Sequence, residues 1–347
     1  MKKSMLPIVS LVCAALLAGC SDNNLVPPDP PDAQKPASVH IYAPDGTPAM
    51  AIAGLKRSEE MQGVEVECTL VAASEIGTVF SAYPDCDLAI MPTVSAVQLA
   101  AQGMEISYVS ANVWGNLYVV GYGEAESLSD LKGKVVYTTT GTTIALLEYE
   151  LAANGIAFEM GSEAKDGVVT LYSMTAASDY LPLIKQAQMK GGEAYGVLGE
   201  PAVTKCMTSV ATESKIVVDM QEEYKKLTGE NGYPQASMIA RGSFGAQYSE
   251  FIYRNLIPAL SKVNDSLISD TENLQSVFEE LGSTALLNIP YTADTIARCN
   301  LSVGYGQGIG DTVRTYISNL STYVKPLQGI EIPEAFFALS EGWWNVD

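Results

Sequence analysis

The chain has 347 residues, 47% of them hydrophobic, and its 40 acidic against 20 basic side chains give a net charge of −20 at pH 7. A field of this sign makes nucleic acid and bare anionic membrane poor partners, so we expect no nucleic-acid binding. The single histidine, His40, excludes Ser-His-Asp triads, Cys-His pairs and histidine-rich metal sites. We therefore expect no enzymatic activity, no cofactor and no metal.

The first twenty residues have the pattern of a secretory signal peptide, since Lys2 and Lys3 precede an apolar run that stops at Cys20. The ending LAGC (17–20) resembles a bacterial lipobox, which implies cleavage before Cys20 and lipidation of its thiol. The mature protein would then be extracytoplasmic and anchored to a bacterial membrane. An ordinary signal peptide with an incidental cysteine is the alternative. No later segment offers the roughly 18 uninterrupted apolar residues of a membrane span.

The segment 21–37 contains five prolines and is predicted to be an extended tether that reaches about 50 Å. The remaining body of about 310 residues is long enough for two lobes. Outside the signal peptide and its lipobox, the cysteines are Cys68, Cys86, Cys206 and Cys299. None has CxxC spacing, which argues against zinc or thioredoxin-like chemistry. Outside the cytoplasm they either pair, in one of three connectivities, or stay as buried free thiols.

Apolar runs alternate with helical patterns along the body, which predicts parallel βαβ units and an α/β fold. The first series has predicted strands at 39–43, 64–71, 87–91, 106–109 and 117–122, and helices at 49–57, 75–83 and 94–102. The second series has predicted strands at 135–138, 168–173, 194–199 and 215–220, and helices at 142–154, 179–190 and from Pro201 onward. A strand at 237–240 then leads into a long helical region.

This order predicts a discontinuous first lobe, formed by 38–115 and the mostly helical return 236–347. The second lobe, 116–235, is inserted between them. Two chain crossings, near Asn116 and near Ala236, would form the hinge. His40 is expected at an edge of the first sheet, and the tryptophans at 343 and 344 are expected to anchor the C-terminal tail.

Four stretches run from a strand through a polar turn into a helix: 43–55, 91–100, 138–151 and 198–206. Ligands of open α/β sheets bind beyond the carboxyl ends of strands, where helix starts offer free N–H groups. Each turn alone is ordinary turn or capping chemistry. Four together, two in each predicted lobe, indicate a ligand cleft. The run GYGQGIG (304–310) does not predict a dinucleotide-binding loop, because Ile309 breaks the GxGxxG pattern. It is interpreted as a loop before a helix that starts near Asp311.

Five stretches carry a family resemblance: VHIYAPDGTPAMAIAGL, DLAIMPTVSAVQLAAQG, ANVWGNLYVVGY, SLSDLKGKVVYTTTGTT and AYGVLGEPAVTKC. In this order they resemble the substrate-binding lipoproteins of bacterial ABC importers, above all the nitrate, sulfonate, taurine and thiamine-precursor binders. The resemblance covers most of 38–320. It implies the type II periplasmic-binding-protein fold, with two α/β lobes joined by a two-strand hinge and a ligand cleft between them. It also implies capture of a small polar or amphiphilic nutrient and delivery to an ABC permease with a cytoplasmic ATPase. We expect a monomer.

The resemblance implies ligand contacts at Asp45, Gly46, Thr47, Thr93, Val94, Ser95, Trp114, Asn116, Thr139, Thr140, Gly141, Thr142, Thr143 and Glu200. Hydroxyls and helix-start N–H groups of the threonine turns would surround an oxyanion or a polar ring edge. Trp114 would stack on a flat part of the ligand. Asp45 and Glu200 are the carboxylates placed to receive an amine. No arginine lies in the four turns, and Arg241 is the one expected to reach in.

Two other functions stay open at this point. The first is a lipoprotein that senses a ligand or presents it to a partner protein, which the sequence does not separate from a lipoprotein that delivers the ligand. The enzyme alternative is the pyrimidine-synthase relative of this fold, which uses histidines that this sequence lacks.

Overall fold

The computed structural model describes residues 34–342, which belong to one compact unit. The predicted signal peptide, Cys20, most of the tether and the two C-terminal tryptophans lie outside the described residues. Within the described range, no helix is both long and apolar enough to span a membrane.

Twelve strands within residues 34–342 form two six-stranded sheets. The strands are β1 Ser38–Pro44, β2 Glu65–Val71, β3 Leu88–Pro92, β4 Ile106–Val113, β5 Leu117–Tyr122, β6 Val135–Thr139, β7 Phe158–Met160, β8 Val169–Met174, β9 Ala194–Gly199, β10 Lys215–Asp219, β11 Ala236–Arg241 and β12 Leu301–Gly304. The first sheet has the order β12-β4-β11-β3-β1-β2 and the second β10-β5-β9-β6-β8-β7.

Helices surround both sheets. They are α1 Thr47–Met50, α2 Ile76–Ala82, α3 Thr93–Ala101, α4 Thr142–Ala153, α5 Leu181–Lys190, α6 Ala202–Lys205, α7 Met220–Thr228, α8 Gly242–Gln247, α9 Ser249–Phe251, α10 Ile257–Ser269, α11 Leu274–Leu281, α12 Ala293–Arg298, α13 Ile309–Leu320 and α14 Ala338–Glu341. Short 3-10 segments and two π-helical turns, Cys206–Val210 and Ile252–Leu256, connect several of them.

The two sheets share one plan. In the first, β1 runs parallel to β2 and β3, while β11 is antiparallel to β3 and β4. In the second, β6 runs parallel to β8 and β9, while β5 is antiparallel to β9 and β10. The chain leaves the first sheet after β4 and returns to it at β11. We call the first sheet with its helices lobe 1, and the second sheet with its helices lobe 2.

The central strands β3 and β11 are buried on both faces because their sequences are mostly apolar, with Ser237 as the one polar residue between Ala236 and Ala240. Leu88 to Met91 of β3 and Ala236 to Ala240 of β11 are all buried. Continuous apolar runs of this kind are typical of strands covered by helices on both sides. One hydrophobic core cluster contains side chains of α3 in lobe 1 and of α4 in lobe 2 together with α13, so the lobes pack closely against each other.

Several local predictions are confirmed and others are wrong. The helix predicted at 142–154 is α4, with Leu147 and Leu151 fully buried. The helix predicted at 49–57 is instead the single turn α1 followed by a 3-10 turn. Gly54 separates them, with a left-handed φ of 88° that a helix cannot continue. His40 does not lie at an edge, because β2 pairs outside β1. The short strands β7 and β12 were not predicted.

The four cysteines of the body are free thiols. Burial raises the pKa of the Cys68 thiol to about 11 and that of Cys86 to about 12. Burial likewise raises the pKa values of Cys206 and Cys299. Of the two alternatives left open by the sequence, the structure has the free thiols, and all four are poor nucleophiles at neutral pH.

Candidate functional site

The turn after β1 holds Thr47, a residue of lobe 1 whose side chain contacts lobe 2. Gly46 precedes it with φ 128°, a conformation that favours glycine, and starts helix α1. Thr47 is only 3% exposed. Its hydroxyl donates to the carbonyl oxygen of Glu200 at 2.6 Å and accepts from the side-chain amide of Asn116 at 2.8 Å. Thr47 therefore joins the carboxyl end of β1 to the residue that follows β9.

Asn116 is a buried junction at the first chain crossing. Its Nδ2 also donates to the carbonyl oxygen of Glu200, at 3.2 Å. Its Oδ1 accepts from Nε2 of Gln235 at 2.7 Å, and its backbone N–H donates to Oε1 of Gln235 at 2.9 Å. Because Gln235 lies at the second crossing, its two hydrogen bonds with Asn116 connect the two hinge segments.

A buried ion pair completes the group. The side chain of Glu200 is fully buried, and its Oε1 accepts from Nε of Arg298 at 2.7 Å and from the hydroxyl of Thr204 at 2.9 Å. Its Oε2 accepts from the N–H of Thr204 at 3.0 Å. Arg298 ends α12, which packs in the core of lobe 1 through Ile296. The carboxylate of lobe 2 is thus neutralised by a guanidinium of lobe 1.

We call this group the interlobe cluster: Thr47, Asn116, Glu200, Thr204, Gln235 and Arg298. Three of its members are predicted ligand residues, namely Thr47, Asn116 and Glu200. The guanidinium-bearing side chain of Arg298 is 29% exposed, whereas Glu200 has no exposed side-chain surface. Arg298 is therefore the member of this ion pair that reaches the protein surface.

The second predicted turn lies apart from the cluster. Thr93 is fully buried, and its hydroxyl is 2.7 Å from that of Ser237, which in turn is 2.8 Å from the hydroxyl of Tyr108. Val94 is buried in the core and Ser95 is half-buried. This chain of hydroxyls links three elements of lobe 1. It touches the interlobe cluster only through the backbone, where the N–H of Thr93 donates to the carbonyl of Gln235 at 3.1 Å.

The threonine-rich turn keeps its polar groups accessible. Thr140 and Gly141 are exposed, and Thr139, Thr142 and Thr143 are half-buried. Gly141 has φ 82°, and no side chain caps the start of α4. Beneath the turn, the buried hydroxyl of Thr138 has no hydrogen-bond partner among the described residues. Within that range, the hydrogen bonds do not connect this turn to the interlobe cluster.

Asp45 and Trp114 face other neighbours. The carboxylate of Asp45 accepts from the hydroxyls of Ser283 and Thr284 and from the N–H groups of Thr284 and Ala285. Burial raises the pKa of Asp45, but these hydrogen bonds outweigh it and the net pKa is lowered. Asp45 thus fastens the loop after α11. Trp114 donates from Nε1 to the carbonyl of Ser302 at 3.0 Å and lines a separate pocket.

No protein-family model matches the sequence, and no curated protein is similar to it in sequence. Solved structures match it in fold. An ABC transporter protein from Parabacteroides distasonis superposes with a TM-score of 0.68 at 18% identity, over 87% of this chain and 99% of that chain. The periplasmic aliphatic sulphonate binding protein SsuA from Escherichia coli gives 0.62 at 13% identity, over 87% and 96%.

A Candida albicans protein that exhibits the generic periplasmic binding protein structural fold gives a TM-score of 0.50 at 12% identity, over 87% of this chain and 94% of that chain. This chain has the periplasmic-binding-protein fold. The predicted fold class is therefore confirmed, with two α/β lobes and two crossings between them. The matching bacterial proteins belong to the class that the sequence stretches resemble.

Three residues of the interlobe cluster were missed by the sequence prediction: Thr204, Gln235 and Arg298. Gln235 is next to the predicted crossing, and Thr204 is one helical turn beyond Glu200 in the stretch LGEPAVTKC, so both were within reach of prediction. Arg298 had no local signal, because it reaches Glu200 across 98 residues of sequence. The expectation for Arg241 is wrong. Its guanidinium donates to three carbonyl oxygens of lobe 1, those of Phe80, Tyr83 and Cys86.

A second buried polar group lies in α4 of lobe 2. Glu150 of α4 has no exposed surface, and neither of its carboxylate oxygens has a partner among the described residues. Burial first, and then the charges of Glu223 and Asp219, raise the pKa of Glu150 well above its ordinary value. Stacked rings pack nearby, with the centroids of Tyr233 and Tyr316 5.4 Å apart. Burial without a hydrogen-bond partner therefore favours the protonated form of the Glu150 carboxyl.

No group of three or more His, Cys, Asp or Glu side chains in residues 34–342 is arranged to hold a metal ion. The interlobe cluster instead offers one guanidinium, two carboxamides and two hydroxyls around a single carboxylate. Such a set recognises oxyanions and neutral polar groups by hydrogen bonding.

Proposed function

We propose that the protein is an extracytoplasmic solute-binding lipoprotein of an ABC importer. It captures a small polar or amphiphilic nutrient between its lobes and delivers the nutrient to a membrane permease driven by a cytoplasmic ATPase. It acts as a monomer and performs no chemistry. The observation that carries the proposal is the interlobe cluster, because it places polar groups of both lobes at strand ends in the fold of binding proteins.

The proposal includes the organisation of the chain. Residues 38–115 and 236–347 form the lobe that carries Thr47 and Arg298, and 116–235 form the lobe that carries Glu200. Residues 1–20 are removed, Cys20 is lipidated, and 21–37 tether the body to the membrane. Mass spectrometry of the membrane-extracted protein tests the anchor. An N-terminus at Cys20 with added acyl mass supports it, and an unmodified Cys20 refutes it.

The ligand carries an oxyanion or a similarly polar head. Arg298 is the one cluster group with both a full positive charge and accessible surface, and the neighbouring amides and hydroxyls of Asn116, Gln235 and Thr47 complement a sulfonate or a polar ring edge. We place the remaining predicted contacts, including Thr139 to Thr143 with Gly141, around the rest of the ligand. Sulfonates and pyrimidine or thiamine precursors are the classes to test first.

The mechanism rests on differential contact. In the structure, the hydroxyl of Thr47 in lobe 1 donates to the carbonyl oxygen of Glu200 in lobe 2, so contacts between the lobes stabilise the closed arrangement. A ligand that bridges Arg298 and the hinge amides adds contacts available only when both lobes are close. By mass action, it then shifts the population toward the closed form.

A thermal-shift screen of the full-length chain tests the function. The protein is first unfolded and refolded to remove carried-over ligand, then heated with taurine, alkanesulfonates, nitrate, hydroxymethylpyrimidine or thiamine. A ligand at about a hundredfold its Kd adds about 2.7 kcal/mol to the free energy of unfolding and visibly raises the Tm. A compound that raises the Tm supports the proposal and names the ligand class. A Tm that stays constant across the whole series contradicts it.

A further inference from the structure

A pocket with a volume of about 430 Å³ lies beside the first chain crossing. Trp114 contributes from the crossing, Gln221 from α7 of lobe 2, and Asn264 and Ile268 from α10 of lobe 1. The start of α7 is fixed by Asp219, whose carboxylate accepts from the N–H groups of Gln221 and Glu222. We call it the hinge pocket. It shares no residue with the interlobe cluster, and its volume suits a small organic molecule.

The hinge pocket has an unusual composition for this chain. No Asp or Glu lines it, although the chain has 40 acidic residues. Four carboxamides do, those of Gln221, Asn231, Asn264 and Asn300, together with the amine of Lys225. A wall of amides without carboxylates favours a neutral or anionic occupant that exchanges hydrogen bonds with amide edges.

Asn264 is the most informative residue of the wall. It is 7% exposed, and neither its Oδ1 nor its Nδ2 has a hydrogen-bond partner among the described residues. Its neighbours on the same helix face, Leu260 and Leu267, belong to the apolar core. A buried carboxamide without partners loses the hydrogen bonds that water would make, so such a group is normally paired. Both atoms have almost no accessible surface, so an occupant with one donor and one acceptor side by side supplies both partners once the Asn264 side chain turns toward the pocket.

Trp114 gives the pocket a rigid flat wall. Its indole N–H donates to the carbonyl of Ser302 at 3.0 Å, which fixes the ring against β12. Gly304 is needed for this approach, because a Cβ there would lie 2.3 Å from Cζ2 of Trp114. Ile268, which is 49% exposed, adds an apolar surface to the lining. A planar ring therefore fits the apolar part of the pocket.

We propose that the hinge pocket is a second ligand site for a flat, uncharged molecule that carries a carboxamide or lactam edge. The edge pairs with Asn264, and the ring packs on Trp114. This site goes beyond the capture of a nutrient in the cleft and does not depend on it. The walls of this site come from both lobes, α7 of lobe 2 and α10 of lobe 1.

Calorimetric titration of the full-length chain with benzamide and with uracil tests the site. Both probes have a flat ring and an adjacent donor and acceptor. N,N-dimethylbenzamide keeps the ring and the carbonyl but has no N–H. We expect at least one probe to bind with a millimolar or lower Kd, and the dimethyl compound to bind at least about tenfold more weakly than benzamide if benzamide binds.

Two variants locate the binding. Asn264→Leu preserves size and removes the unpaired amide, so it should fold, melt no lower than the natural chain and lose about tenfold or more in probe affinity. Ala297→Trp changes an exposed lining residue and fills the pocket, which should abolish binding. Thr47→Val in the interlobe cluster should change probe affinity by less than about twofold. The proposal is overturned if neither probe binds, if both pocket variants bind normally, or if only Thr47→Val removes binding.

Discussion

The interlobe cluster and the surroundings of Glu150 are both buried and polar, yet their hydrogen bonding is opposite. In the cluster, each carboxylate oxygen of Glu200 has a partner and its charge is matched by Arg298. At Glu150, neither oxygen has a partner among the described residues, and neither do the buried hydroxyls of the stacked Tyr233 and Tyr316. The protein pairs the buried carboxylate of Glu200 with the guanidinium of Arg298, whereas burial without partners raises the pKa of the Glu150 carboxyl.

Removal of Arg298 should have the largest effect on this contrast. Arg298→Ala leaves the carboxylate of Glu200 buried with only Thr204 to stabilise it. We expect a loss of about 3 kcal/mol in the free energy of unfolding, at the low end for buried pairs because Arg298 is partly exposed. Denaturant unfolding measures the change.

Arg57→Ala is the matched control, since Arg57 pairs with Glu280 on the surface and should contribute less than about 1 kcal/mol. Equal losses in the two variants would show that the interlobe ion pair is no more than a surface contact.

Titration of Glu150 should have a smaller effect that depends on pH. The raised pKa means that the folded chain holds a proton that the unfolded chain releases, so the free energy of unfolding falls as pH rises above the ordinary glutamic acid range of about 4.5. Glu150→Gln cannot release this proton and should remove that part of the decline. Melting curves at several pH values from about 5 to 9 measure it. Parallel pH profiles for the two proteins would contradict the raised pKa of Glu150.

Local structure was the predictable part of this molecule. The strand-to-helix stretches follow from alternating apolar patterns and turn residues, and they place Thr47 and Glu200 at strand ends. The predicted first crossing places Asn116, and the structure brings the three residues together. Contacts between residues far apart in the sequence were not predictable. The carboxylate of Asp45 is hydrogen-bonded to a loop 238 residues away. Arg298 pairs with Glu200 from a helix whose sequence gives no indication of this contact. The edge position of His40 was wrong because parallel pairing placed β2 outside β1.

The difference between the two polar turns has the same origin. Thr47 and Thr142 both follow a strand and a glycine with a positive φ, so the sequence predicts the same role, ligand contact, for both. Only the packing of the lobes separates them: Thr47 is buried against Glu200, whereas Thr142 stays half-exposed. A threonine's side-chain contacts thus depend on the opposite lobe, which no local pattern encodes.

Calorimetric titration of Thr47→Val with the compound found in the thermal-shift screen tests most directly whether both lobes hold one ligand through the interlobe cluster. The substitution keeps the shape and removes the hydroxyl that joins Asn116 and Glu200. The control is Thr69→Val, at an exposed position of β2. The account predicts a loss of at least about tenfold in affinity for Thr47→Val and none for Thr69→Val. Equal affinity in both variants would contradict it.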